Sequence, residues 1–372
     1  MSKEIYRRYG FDKLLFLAVI GMIAFGLVMV FSSSAPRGIE EHGNSFFYFI
    51  HQVIGAALGL ALLLFIMSWS RPFYQNPVFV YGLLTLTISL LALALVMPAI
   101  RNANRWIHIS GFRFQPSELA KISLVLFLAY YLDKKRDSLK DIRILALPVG
   151  VIGVVLLLVF KEPDVSTALL IGVICALMLF LSGVRLSHLF ALGVGASALL
   201  GVVFLQAPPY VRERLMSFLS PEASLHDAGY QAYQSKLALG SGGIFGSSIG
   251  QGSRKLYFLP DAHTDYIYSI VGEELGLIGA VGVLFLFGVF IWRGLIISRR
   301  APDAFSRILA AGLTLTIGIQ ALLNISIALG LAPTTGLPLP LFSYGRSSLI
   351  CTLFAIGILL HISQRKTPQR RK

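Results

Sequence analysis

The chain has 372 residues, 56% of them hydrophobic and only 13% charged, with a formal net charge of +14. That charged fraction is about half of what a soluble chain of this length carries, which excludes a water-soluble globular domain. The basic residues cluster in short loops and tails between apolar runs, where an orientation signal places them, so nucleic acid is not an expected partner.

In chain order, apolar runs predict spans at 14–31, 53–69, 78–97, 119–132, 144–160, 166–182, 189–205, 267–291, 308–331 and 348–363. About 20 apolar residues in a helix cover the ~30 Å of a bilayer's hydrocarbon, and backbone groups in lipid must be bonded within the segment, so these runs read as helices. Residues 3–31 resemble a secretory leader, but the apolar stretch is too long and a second span soon follows, so it is read as an uncleaved first helix. The expected fold class is an all-α integral membrane protein of about ten transmembrane helices, with a large ordered extracytoplasmic loop between helices 7 and 8. A single polytopic domain covers 1–372, with a core at 11–363 and tails at 1–10 and 364–372. Alternating the sides puts 20 of the 32 Lys and Arg residues with the two termini, which predicts both termini in the cytoplasm.

Cys175 and Cys351 lie inside apolar runs and read as small buried hydrophobes, and the histidines show no metal-ligand spacing. No metal site is expected from the sequence. The opposite face carries the unusual segments, 98–118 and 206–265, rich in Pro, Gly, aromatics and charge. Loops of the second one's length are functional or disordered, and its apolar stretches favour order.

Five constellations fall on that face. Arg101 and Arg105 beside Trp106 suit an interfacial belt or the neutralisation of a phosphate. They precede Gln115-Pro-Ser-Glu118-Leu-Ala-Lys121, where Pro116 and Glu118 make an ordinary helix start. Lys121, three residues deeper on the same face, needs a partner or a polar cavity. Lys161-Glu162-Pro163-Asp164 reads as an interfacial turn, with Asp164 able to support a cavity from its rim. Gly229 to Lys236 and the glycines at 240–252 allow close backbone approach but match no nucleotide loop. Pro260-Asp-Ala-His263-Thr-Asp265, followed by Glu273-Glu274-Leu-Gly276, opens a span, where the helix dipole also favours a carboxylate. Gly336-Leu-Pro-Leu-Pro340 with Ser343-Tyr-Gly-Arg346 re-enters before the last span. The span centres carry almost no ionisable groups, which fits chemistry at one mouth better than alternating access.

In order and content these motifs resemble the SEDS family, the shape, elongation, division and sporulation proteins exemplified by RodA and FtsW, over residues 11–363. Two departures are visible: Arg346 stands where glycine is common, and Asp261 where glutamate is frequent. The resemblance implies a peptidoglycan glycosyltransferase of the bacterial inner membrane that polymerises lipid II on the extracytoplasmic side. It also implies a class B penicillin-binding protein as partner, alongside other divisome or elongasome membrane proteins. It places the essential aspartate at Asp265 and a cavity acid and base at Glu118 and Lys121. Arg101, Arg105, Lys121 and Arg346 are then candidates to neutralise a diphosphate, with Asp164, His263, Lys236 and Ser343 as supporting residues. No cofactor is required by this inventory, though a divalent cation could share the neutralising role. Gly272-Glu-Glu-Leu-Gly and the short tail lean toward the division type. The alternatives are a lipid II flippase and a non-catalytic scaffold recruiting a penicillin-binding protein. A transpeptidase is not expected: Ser363-Gln-Arg-Lys366 fits Ser-x-x-Lys only trivially, on the tail, and the sequence has no Lys-Thr-Gly motif.

Overall fold

Each of the ten apolar stretches falls on a helix in the computed structural model, which describes residues 10–98, 104–109, 112–139, 141–205, 218, 228–256 and 258–365. The helices are α1 (Lys13–His42), α2 (Phe47–Ser68), α3 (Pro77–Val96), α4 (Pro116–Lys134), α5 (Ala146–Lys161), α6 (Val165–Leu181), α7 (Leu186–Leu205), α8 (Ala228–Ser241), α9 (Ile267–Arg299), α10 (Ala304–Ala328) and α11 (Arg346–Ser363). Seven of the described helical stretches are long and apolar enough to cross a membrane: α1, α2, α3, residues 142–161, α9, α10 and α11. α6 and the first half of α7 are apolar but shorter. α1, α2 and α9 run past the apolar stretches, because polar residues at a bundle's rim can stay helical in water.

Side-chain caps set several of the helix starts. The Asp12 carboxylate accepts from Leu15 N at 3.0 Å, Asn76 from Val78 N at 3.0 Å, Asp164 from Thr167 N at 3.1 Å and Asp303 from Ser306 N at 2.7 Å. α4, buried along most of its length, runs through the middle beside the well-enclosed α10. α2 and α11 pack closely because α2 presents Gly55 and Gly59 four residues apart. A Cβ at Gly59 would lie 2.5 Å from Leu353 Cδ1, and one at Gly357 3.1 Å from Leu63 Cα. Small residues at such an interface let two membrane helices gain van der Waals contact. Outward faces keep Val78, Leu157, Leu277 and Phe285 exposed, as lipid-facing residues would be.

Hydrogen bonds define two ends of the bundle. At one, Ser32 in the second half of α1 meets Glu274 of α9, Gln52 of α2 meets the segment before α11, and Gln115 before α4 meets Asp164 before α6. At the other, Asp12 pairs with Arg293, and Tyr74 OH with His361 Nδ1 at 2.8 Å.

Three findings add detail that the sequence did not supply. The 98–118 segment contains an antiparallel hairpin pairing 107–109 with 112–114, so all-α describes the bundle alone. The 206–265 segment contains the helix α8. And α9, expected as one unbroken span, breaks at Gly276, with φ 66° and ψ −161°. The glycine-rich 240–248 segment fills the break. Leu277 N donates to Gly243 O at 2.9 Å and Ile278 N to Ile244 O at 3.3 Å, while Glu273 O accepts from Ser247 N at 3.0 Å and Glu274 O from Ser248 N at 3.1 Å. A Cβ on Gly276 would come within 2.4 Å of Ile244 O, and one on Gly246 within 2.2 Å of Glu274 O. Only glycine permits that backbone contact.

Candidate active site

Asp265 stands two residues before α9, in a turn where Thr264 N and Asp265 N both donate to Asp261 O, at 3.0 and 3.1 Å. Its position is fixed from two sides. From α10, Asn324 Nδ2 donates to Asp265 O at 2.8 Å and to Leu337 O at 2.7 Å. From the 336–345 segment, Ser343 Oγ donates to Thr264 O and accepts from Leu339 N at 2.8 Å, and Tyr344 N donates to His263 O at 2.9 Å. Gln52 of α2 clamps the same segment, donating to Ser343 O at 3.0 Å and accepting from Gly345 N at 3.1 Å. The buried His263 ring packs on Tyr48, 5.0 Å between centroids. Gly336 faces the carboxylate: a carbon added there would stand 3.5 Å from Asp265 Oδ2.

Glu118 and Lys121 lie one turn apart on α4 and pair at 2.9 Å, each side chain 4% exposed. A buried ammonium needs more than one carboxylate, and Gln320 supplies it: Lys121 Nζ donates to Gln320 Oε1 at 2.6 Å. Gln320 Nε2 then donates to Pro338 O at 2.9 Å. Gln320 and Asn324 are four residues apart, so they share one face of α10. That face ties the Glu118–Lys121 pair to the Asp265 turn through two neighbouring amides.

The α5–α6 turn forms a second wall. Asp164 caps α6 and accepts from Gln115 Nε2 at 3.2 Å. Glu162 is fully buried, and neither of its carboxylate oxygens has a hydrogen-bond partner. Burial pushes its carboxyl up to about 8, aided by repulsion from Asp164 and opposed by Arg105. Arg105 is half-buried and its Nε lacks a partner.

The structure thus brings together Asp265, His263, Ser343, Glu118 and Lys121, with Asp164 and Arg105 on the adjoining wall. Arg346 opens α11 against Gly55 of α2. Lys236 is exposed on α8, its stem over Gly330 at the end of α10. Arg101 lies outside the described residues. Beside the site, Glu274 of α9 is fully buried and pairs with Lys255 at 2.5 Å, with Ser32 donating to it at 2.7 Å. Glu273 accepts from Ser253 N at 2.7 Å and Arg254 N at 3.0 Å. The two motif glutamates therefore fasten the loop to the broken helix. Among the described residues, no three His, Cys, Asp or Glu side chains gather to hold a metal.

Residues 12–368 match the model of the FtsW/RodA/SpoVE cell cycle proteins. The chain belongs to this family. It is 39% identical to the probable peptidoglycan glycosyltransferase FtsW of Geobacter sulfurreducens, over 98% of this chain and 97% of the relative. It is 36% identical to stage V sporulation protein E of Bacillus subtilis, over 95% of this chain and 97% of that one. Among solved structures, a chain of a peptidoglycan synthase complex, in work on coordinated polymerization and crosslinking, superposes with a TM-score of 0.76 at 30% identity, covering 95% of this chain and 97% of that one. The rod shape determining protein RodA of Thermus thermophilus gives 0.69 at 29%, covering 95% and 96%.

Gln52, Gln320 and Asn324 escaped the sequence reading. The signal was present: amides inside otherwise apolar spans, two of them at i and i+4, need polar partners in a membrane.

Proposed function

We propose that this protein is a peptidoglycan glycosyltransferase that joins lipid II disaccharide units into glycan strands, with Asp265 as the general base. The sugar hydroxyl of the acceptor attacks the donor's anomeric carbon. The new glycosidic C–O bond forms as the bond to the diphosphate oxygen breaks, the hydroxyl proton passes to Asp265, and undecaprenyl diphosphate leaves with the electron pair. A positioned base contributes about 10²–10⁴ in rate to such a step. Glycoside hydrolases need a second carboxyl to protonate a poor leaving oxygen. A diphosphate leaves without one if its charge is neutralised, a role for Lys121, Arg105 and Arg346, with Arg101 as a further candidate and a divalent cation able to share the charge. The carrying observation is the knot that ties the Asp265 turn through Asn324 and Gln320 to the Glu118–Lys121 pair, in a chain whose relatives are named for this activity.

The partner we propose is a class B penicillin-binding protein that crosslinks the strands, within a divisome or elongasome assembly. The distribution of basic residues favours cytoplasmic termini, with the site on the extracytoplasmic face of the inner membrane. The broken α9 invites the flippase alternative, since transporters coordinate ions with unwound backbone. Here the loop occupies the break: backbone N–H and C=O groups on both sides of it bond the 240–248 segment. That favours a braced site over a gated path.

The test is polymerisation of lipid II by the purified protein with its partner. Wild type is expected to make strands and Asp265→Asn none. Strand formation by Asp265→Asn at the wild-type rate would refute the base assignment. Thiol labelling of a cysteine introduced at Ser253 decides the side: modification by an impermeant reagent from the cytoplasm would overturn the orientation.

A further inference from the structure

Three polar atoms next to the Asp265 turn have no hydrogen-bond partner in the structure: the hydroxyls of Thr334 and Thr335, and Asn324 Oδ1. Thr334 is 7% exposed and Asn324 1%. Buried polar groups in native interiors are nearly always paired, and each exception asks for a reason. These three share a location. The threonines run directly into Gly336, which faces the Asp265 carboxylate, and Asn324 uses its other amide atom to hold the Asp265 and Leu337 carbonyls. The unpaired atoms therefore sit on a residue that holds the Asp265 backbone and on the two residues just before the glycine that faces its carboxylate.

Their chemistry selects a ligand. Two hydroxyls donate and accept, whereas an amide oxygen and a carboxylate only accept. An ionised diphosphate offers acceptors alone, so it could engage the two hydroxyls but would be repelled by the amide oxygen and the carboxylate. A sugar ring presents hydroxyls that do both, and one of them must point at Asp265 to lose its proton. Of the candidate cations among the described residues, Lys121 lies on α4, Arg105 beside the α5–α6 turn, and Arg346 at the start of α11 against Gly55 of α2, while Lys236 alone reaches toward this stretch, over Gly330. Resting on the transferase reading above, we propose that Thr334, Thr335 and Asn324 form the subsite for the acceptor sugar, and that the donor diphosphate is held on the cationic side.

The experiment uses the full-length protein with its class B partner and purified lipid II. Thr334→Val and Thr335→Val keep side-chain shape and remove the hydroxyl, and Thr→Ser at each position keeps the hydroxyl. Each valine variant is expected to raise KM for lipid II about three- to tenfold, the usual yield of one lost hydrogen bond, with a smaller change in kcat. The serine variants are expected to stay near wild type. Inhibition by added undecaprenyl diphosphate reports the diphosphate side and is expected to be unchanged in all four. Wild-type KM in both valine variants would overturn the proposal, leaving hydroxyls satisfied by water alone. Weakened product inhibition would also overturn it, by assigning the threonines to the diphosphate. Equal loss in valine and serine variants, tracking a fall in thermal midpoint, would reduce the threonines to packing. Wild type and Asp265→Asn, assayed alongside, separate the two levels: if wild type makes no strands the transferase reading falls, if Asp265→Asn polymerises like wild type the base assignment falls, and if wild type polymerises, Asp265→Asn is dead and the valine variants are normal, only the subsite falls.

Discussion

The two ends of the bundle are built from similar residues and used differently. At the end holding Asp12, Tyr74, Asp303 and His361, most polar side chains close on one another or on backbone, the buried Ser306 hydroxyl being an exception. Asp12 caps α1 and pairs with Arg293, while His361 sits between Tyr74 OH and Trp69 O. At the end holding Asp265, carbonyls are clamped by Gln52, Gln320 and Asn324, yet Glu162, Arg105, Thr334 and Thr335 keep buried atoms without partners. The first pattern stabilises helix ends. The second holds a backbone frame rigid while leaving side-chain valence unmet, which is the arrangement a preorganised site requires.

The comparison breaks most directly at Asp265. Asp265→Asn keeps the shape and every backbone bond of the turn, so its thermal midpoint is expected to match wild type while the polymerisation rate falls about 10²–10⁴-fold. Asp12→Asn at the opposite end should do the reverse: it weakens the ion pair with Arg293 and lowers the midpoint slightly, with strand synthesis retained. Loss of synthesis in both variants alike would mean that the ends are not functionally distinct.

Next in size is Lys121. Lys121→Ala strands the buried Glu118 carboxylate and is expected to cost about 3–5 kcal/mol of stability together with activity. The exposed Lys134, at the far end of the same helix, should tolerate alanine within about 0.5 kcal/mol. The double variant Glu118→Gln/Lys121→Met sharpens the distinction by removing both charges. It is expected to recover the midpoint without recovering polymerisation, and recovery of both would assign the pair to structure alone.

The break in α9 comes third. Gly276→Ala forces a Cβ into a left-handed position 2.4 Å from Ile244 O, a strain of about 1–3 kcal/mol before any clash. Gly282, on the same helix with nothing within 4 Å of its would-be Cβ, serves as the control and should accept alanine without loss. Thermal midpoints in one detergent compare them, and equal midpoints would mean that the loop does not brace the helix.

Much of this was legible in the sequence because the bilayer imposes simple rules. Length and apolarity alone placed ten helices, and the i, i+3 spacing of Glu118 and Lys121 already called for their pairing. Asp265, His263 and Ser343 were visible only as parts of motifs, since local spacing does not say that residues 263–265 and 339–344 share a set of hydrogen bonds. The break at Gly276 was hidden because nothing in Glu-Leu-Gly-Leu-Ile distinguishes a tolerated helix glycine from one that admits a loop. What decides it is the partner segment some thirty residues earlier, whose Gly242 and Gly246 leave room for backbone contact. Glu162 was read as part of a turn, because burial of a carboxyl between two helices is a tertiary outcome.

That carboxyl supplies the smallest and most specific test of the difference between the ends. Its folded-state value of about 8 lies above the ordinary 4.5, so between those pH values the folded protein holds a proton that the unfolded chain has released. Stability from this group is therefore fully present below about 4.5, declines as pH rises toward 8, and levels off above it. Glu162→Gln imitates the neutral form at every pH. The midpoint of the variant relative to wild type should climb from pH 5 to pH 8.5, and Asp164→Asn, which keeps a capping side chain but removes the neighbouring charge, should flatten the wild-type slope part of the way. Arg105→Ala should steepen it, because among the described residues the Arg105 guanidinium favours ionisation of Glu162. Parallel pH profiles for wild type and Glu162→Gln would mean that the carboxylate is ionised and paired throughout, and the turn between α5 and α6 would then resemble the well-satisfied end of the molecule.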